Sequence, residues 1–219
     1  MSGVNSTTNE LLVGVTKPQQ NRSIKTFSKI KAAALTLMSD PMTMDFRLTD
    51  VSRLAKVSIG SIYARVDGKA DLVRLVQHEE LLELESDLRN VAERATIATA
   101  LEDAVQTLTT GYLELTMRRA PLLKYVIRAA QSDVLMSERG QRSLALVQRL
   151  FVDALRSATD RAGLHPTVEE LEWCYYLTDS TIAHQIRFPT PGSVAESTDA
   201  AFGKIADRLS DTIRAYLLR

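Results

Sequence analysis

From Arg22 onward the apolar residues Ile24, Phe27, Ile30, Ala34, Leu37 and Met38 recur at three- and four-residue steps, and Asp40-Pro41 then stops the pattern. That spacing predicts an amphipathic helix. Thr49 is placed to cap a short second helix with Val51, Leu54 and Ala55 on one side, and Ser58 to cap a third that holds Ile62. Asp67-Gly68 breaks the chain again, after which the periodic segments lengthen. Leu72, Leu75, Val76, Leu82, Leu88, Val91 and Ala95 predict one long helix to about Arg94, and Leu101, Ala104, Val105, Leu108, Tyr112 and Leu115 predict the next. Pro121 suits a helical first turn, where its missing N–H is harmless. Leu144, Val147, Phe151, Ala154 and Ala158 mark a further helix that Gly163 can close in a left-handed cap. Thr167-x-x-Glu170 and Ser193-x-x-Glu196 both match the capping box, and Phe188-Pro189-Thr190-Pro191-Gly192 forbids helix between them. No segment alternates as a half-buried strand does, so the expected class is all-α.

Met1 to Gln20 is rich in Ser, Thr, Asn and Gln, lacks helical periodicity, and is expected to form a flexible tail. A small first domain over 21–68 and a larger helical body over 69–219 complete the expected organisation. No run approaches the roughly 18 apolar residues of a spanning helix, and the start lacks a secretory signal, so a cytoplasmic protein without a membrane partner is expected. Cys174 is the single cysteine among 219 residues, which excludes an intrachain disulfide and a cysteine-based zinc cluster.

Charge changes the picture through its distribution. The 27 basic and 27 acidic residues cancel over the whole chain, yet residues 21–75 hold ten Lys or Arg against five Asp, a local net of +5. With Glu10 and Lys17 cancelling in the first twenty residues, the remainder carries −5. A basic first domain on an acidic body is the asymmetry of a chain in which one part meets phosphates.

The segment TDVSRLAKVSIGSIYARVDGKADL, Thr49 to Leu72, places two short helices around a tight turn and hands the chain to a longer helix at Lys69. This is a helix-turn-helix layout, and reading DNA with it requires short side chains at the leading end of the second helix, so that the backbone enters the major groove. Ser58, Ile59, Gly60 and Ser61 supply that end. The segment resembles the tetracycline-repressor (TetR) family of regulators through Thr49, Val51, Val57, Ser58, Gly60, Ser61, Ile62, Tyr63, Lys69 and Leu72. The resemblance implies a three-helix DNA-binding domain followed by a larger helical domain for ligand binding and dimerisation. It also implies that Thr49, Tyr63 and Lys69 hold phosphates while Ile59, Ser61 and Arg65 lie where bases are read. Three residues depart from the family pattern: Lys56 stands at the usual turn glycine, Ser52 at an alanine and Val66 at a phenylalanine. A left-handed turn residue with a Cβ is strained, so Lys56 is expected to alter the turn.

The remaining residues do not assemble into a reactive site by sequence. Cys174 and His184 lie ten residues apart on one expected helix, about 80° from each other at 3.6 residues per turn, and His78 lacks a second histidine at ligand spacing. No catalysis, metal or cofactor is expected. In the larger domain, Tyr112, Met117, Tyr125, Phe151, Trp173 and Tyr176, with Gln148 and Asp179 as polar neighbours, are candidates for lining a small-molecule effector pocket, as the resemblance implies. Two stripes, Leu171, Tyr175, Thr178 and Ile182, and Phe202, Ile205, Leu209, Ile213 and Tyr216, are candidates for a homodimer interface or for their own domain's core. The expected function is a regulator, a repressor by this reading, that binds a palindromic double-stranded DNA operator as a homodimer under a small-molecule effector. The alternatives are a helical interaction module that reads no DNA sequence and a constitutive repressor.

Overall fold

Asp40 ends the first helix, α1 (Asn21–Ser39), by turning the chain. Its carboxylate accepts from the Met42 N–H and the Thr43 hydroxyl, both at 2.9 Å. The computed structural model describes residues 21–188 and 198–219. The expected N-terminal tail and the capping box at Ser193 therefore lie outside the described residues. Beyond α1 follow α2 (Leu48–Ala55), α3 (Ile59–Tyr63), α4 (Lys69–Ile97), α5 (Leu101–Arg118), α6 (Ala120–Ala130), α7 (Val134–Arg161), α8 (Val168–Arg187) and α9 (Thr198–Leu217). Among the described residues there is no extended strand, in agreement with the all-α expectation. None of their helices is long and apolar enough to cross a membrane.

The chain divides into two compact units. The first contains the described residues through Leu82 together with Pro121–Gln141, and the second Glu83–Ala120 with Arg142–Arg219. The first unit thus takes in the start of α4, α6 from Pro121 onward and the start of α7 besides residues 21–68. The physical reason is a shared core: Leu122, Tyr125, Val126 and Met136 are buried with Ile30, Met38, Val51, Ile62, Val66 and Leu72. Val66, where the family pattern has phenylalanine, is only 1% exposed, so the smaller side chain still fills a core position. In the second unit α9 packs along α5, and α8 packs against both. Gly111 permits a close approach there, because a Cβ at that position would sit 2.7 Å from the Val91 side chain.

Several helix ends follow the expected chemistry. Gly163 has φ +71° and closes α7, and the Thr167 hydroxyl and Glu170 carboxylate satisfy each other's free N–H groups at the start of α8. Three expectations need correction. Arg47, not Thr49, is the N-cap of α2, because the Asp50 carboxylate accepts from the Arg47 N–H at 2.9 Å and so draws the helix start back by two residues. Leu54 faces outward, as do Ile24, Leu82 and Leu144. The start of α7 also lies ten residues before Leu144, since its inner stripe continues through Met136, Arg139 and Ser143, two of them polar but buried.

Candidate nucleic-acid interface

The turn between α2 and α3 begins at Lys56, which adopts φ 55° and ψ 46° and is the one non-glycine with positive φ among the described residues. A side chain in this left-handed region costs about 1–2 kcal/mol. Two hydrogen bonds hold the turn nonetheless. The Val57 N–H donates to the Ser52 carbonyl at 3.1 Å, and the Ser52 hydroxyl donates to the Val57 carbonyl at 2.6 Å. Two of the departures from the family pattern therefore act together: serine at position 52 supplies a clasp that alanine lacks, across a turn that lysine at position 56 strains.

Ser58 is the N-cap of α3, its hydroxyl accepting from the Ser61 N–H at 3.2 Å, with the two hydroxyls 2.8 Å apart. Thr49, Ser58, Ile59, Gly60 and Tyr63 are all exposed, whereas Ile62 is fully buried and anchors the helix. Outside its own turn of helix, no described atom lies within 4 Å of the position a Gly60 Cβ would take. Nothing among the described residues requires a glycine there. Arg47, Arg53 and Lys56 are exposed cations on the same helix pair. No spacing or motif marks Arg47 or Arg53 as a contact in the sequence, since a surface arginine carries no such signal.

The two candidate contact residues that carry a positive charge are also engaged within the protein. Arg65 donates to the Ser61 carbonyl at 2.6 Å and to the Ser23 hydroxyl at 2.9 Å, which ties the end of α3 to α1. Lys69, the first residue of α4, pairs with Asp45 and lies 4.6 Å above the Phe46 ring. That hydrogen bond is the leading cause that holds the Asp45 carboxyl below its ordinary range. No periodicity or motif marked Asp45 or Phe46, because the loop that carries them meets α4 only in the fold.

The candidate effector residues separate. Tyr125 belongs to the first unit, stacked on Phe46 at 5.8 Å. Tyr112, Phe151, Tyr175 and Tyr176 form an aromatic cluster in the second, with the Tyr112 hydroxyl donating to Asp179 at 2.6 Å. Burial, with the neighbouring Tyr175 and Asp179, pushes the Tyr112 hydroxyl well above its ordinary value. Met117 and Gln148 are half-buried, Gln148 near Glu172 at 3.4 Å, and Trp173 and Tyr176 are largely exposed. The cavity lined by Leu88, Leu108, Tyr112, Val147 and Phe151 measures about 10 Å³, room for one water at most. Burial also raises the Cys174 thiol to about 11, which keeps it protonated at neutral pH.

Of the dimer candidates, Leu171, Tyr175, Thr178, Ile182, Leu209 and Ile213 are buried within the chain, while Phe202, Ile205 and Tyr216 are half-buried. A side chain already buried in its own core has no area left to give a partner. The outward face of α8 carries Trp173, Tyr176, Ser180 and His184 instead.

An exposed, capped short helix after a tight turn, set on a three-helix core and followed by a helical body, defines a helix-turn-helix protein of the two-unit, all-helical kind. Known structures narrow this class. A protein from Mesorhizobium loti assigned to the TetR family of transcriptional regulators superposes with a TM-score of 0.73 at 15% identity, covering 90% of this chain and 98% of that one. A TetR-family regulatory protein from Rhodococcus gives 0.63 at 16% identity over 91% and 98%. The TetR-family transcriptional regulator PfmR from Thermus thermophilus gives 0.59 at 15% identity over 90% and 96%. No family model and no curated protein sequence matches the chain. The chain therefore has the fold of TetR-family regulators, at identities that carry the fold alone.

Proposed function

We propose that the chain is a TetR-family transcriptional regulator that binds a palindromic DNA operator as a homodimer through α3, with affinity set by a small-molecule effector. The observation that carries this reading is the exposed leading end of α3, where Gly60 leaves open space that none of the described residues fills. A glycine in a helix sacrifices about 0.5–1 kcal/mol relative to alanine, and close approach of an external backbone is a physical reason to keep it. The surrounding cations Arg47, Arg53 and Lys56 supply phosphate attraction, and Thr49 and Tyr63 hold phosphates beside the groove. Ser58, Ile59, Gly60 and Ser61 face bases, while Arg65 positions α3 from behind. Lys69 reaches phosphate by leaving Asp45.

Dimerisation through the outward face of α8, with Trp173 and Tyr176 as its apolar anchors, would present two α3 helices about one duplex turn, ~34 Å, apart. The effector acts by binding the DNA-competent or the incompetent dimer better than the other. Selection from random double-stranded DNA tests the reading. A palindromic consensus is expected, with affinity falling steeply as salt rises because the cations displace counterions. A pool that yields no consensus and no salt-dependent retention would favour a helical interaction module.

A further inference from the structure

A groove of about 520 Å³ opens in the first unit where the start of α4, α6 and the loop before α2 meet. Met44, Val73, Tyr125 and Met136 give it an apolar wall, and three cations, Lys69, Arg74 and Arg128, line it as well. Arg74 is already committed, held by Asp133 at 2.8 Å and Asp71 at 3.0 Å, both largely buried. Lys69 and Arg128 are held differently. Arg128 lies 5.3 Å over the Tyr125 ring and donates to the main-chain carbonyl of Met44, a neutral partner. Lys69 pairs with Asp45, whose side chain is 78% exposed on a loop outside any helix.

Both cations act on that one carboxylate, Lys69 by hydrogen bond and charge and Arg128 by charge. Asp45 thus stands where the head of an anion would stand, in front of an apolar wall of ligand-pocket size. An exposed ion pair contributes little in water, so a competing anion that also buries apolar surface has the advantage. We propose that this groove binds a small amphipathic anion, a carboxylate or phosphate monoester with an apolar body, whose head takes Lys69 and Arg128 in place of Asp45. The consequence for DNA rests on the regulator reading: a ligand that takes Lys69 withholds it from phosphate, so the anion competes with DNA for the same ammonium.

Calorimetry on the full chain with 2-naphthoate, 2-naphthyl phosphate, 2-naphthol and inorganic phosphate tests the site. One equivalent of each amphipathic anion is expected to bind at least tenfold more tightly than naphthol or inorganic phosphate, and the ranking of the two anions identifies the head group. Asp45→Asn is expected to tighten binding about threefold or more. Arg128→Gln and Ala129→Phe, the second filling the groove, are expected to weaken it tenfold or more with unchanged melting curves. Val147→Ala, which enlarges the small cavity of the second unit, is expected to leave affinity unchanged. Equal affinity for naphthol, absence of binding, or sensitivity to Val147→Ala with Arg128→Gln and Ala129→Phe silent would each overturn the assignment. In operator binding, naphthoate is expected to raise the Kd of the parent and not of Arg128→Gln. A parent that binds anions but no DNA removes the regulator reading and leaves the groove standing, whereas anion binding without an operator effect overturns the competition.

Discussion

At the level of single residues, Gly60 and Lys56 separate the needs of the fold from those of a partner. Because no described atom outside its own turn of helix lies within 4 Å of a Cβ at position 60, Gly60→Ala is expected to stabilise the protein by about 0.5–1 kcal/mol while weakening operator binding, measured by urea unfolding and by fluorescence anisotropy. A loss of stability would show that the glycine serves the fold. Lys56→Gly relieves about 1–2 kcal/mol of left-handed strain against the greater chain entropy glycine loses, and is expected to gain a net of about 0.5–1 kcal/mol in the same unfolding assay. It also removes one exposed cation, so the slope of log affinity against log salt should become shallower by about one. The resemblance marked both positions in the sequence. The Ser52 clasp that holds the strained turn was not legible, since a hydroxyl can meet a carbonyl five residues away only once the turn exists.

Among the elements, α8 shows how a local signal survives into the fold. Thr167-x-x-Glu170 reads as a capping box in the sequence and forms one in the structure, with the backbone N–H of Thr167 as the leading cause that lowers the Glu170 carboxyl and Arg219 adding to it. A carboxyl lowered in the folded state contributes stability that is fully present above its ordinary value of 4.5 and lost as pH falls through the lowered one. Thr167→Ala is expected to cost about 1 kcal/mol near pH 7. The Thr167 hydroxyl also donates to the Glu170 carboxylate at 3.1 Å, so the difference from the parent should shrink in acid, where a protonated Glu170 accepts that bond less well, and thermal melts from pH 7 to pH 3 would read it. A pH-independent difference would show that the hydroxyl acts alone. The start of α7 illustrates the opposite case. Arg139 and Ser143 sit at inner positions, and Arg139 donates to His78 at 3.1 Å, so a polar residue fills a place that periodicity reserves for an apolar one.

For the molecule as a whole, burial decides which stripes are free to meet a partner. Ile182 is 1% exposed and Trp173 is 54%, so the two neighbouring faces of α8 have different fates. Trp173→Glu and Tyr176→Glu are expected to shift sedimentation from dimer to monomer with the circular dichroism spectrum retained. Ile182→Glu is expected instead to lower the melting temperature, as a charge buried without a partner does. A parent that sediments as a monomer, or glutamate variants that remain dimeric, would exclude this face of α8 as the interface.

The sequence by itself determined the helical class, most helix ends and the position of the helix-turn-helix, because periodicity, caps and turn residues act over fewer than about five positions and leave their mark in chain order. It also carried the charge asymmetry that sets the first seventy-five residues apart. Tertiary structure alone decided that α6 belongs with the helix-turn-helix, that the apolar stripe of α8 turns inward with Leu209 and Ile213 of α9, and that Asp45 and Arg128 flank Lys69 around an open groove. These arrangements depend on burying side chains from distant segments together, and the energy of that burial depends on the assembled surface and not on the order of residues along any one helix.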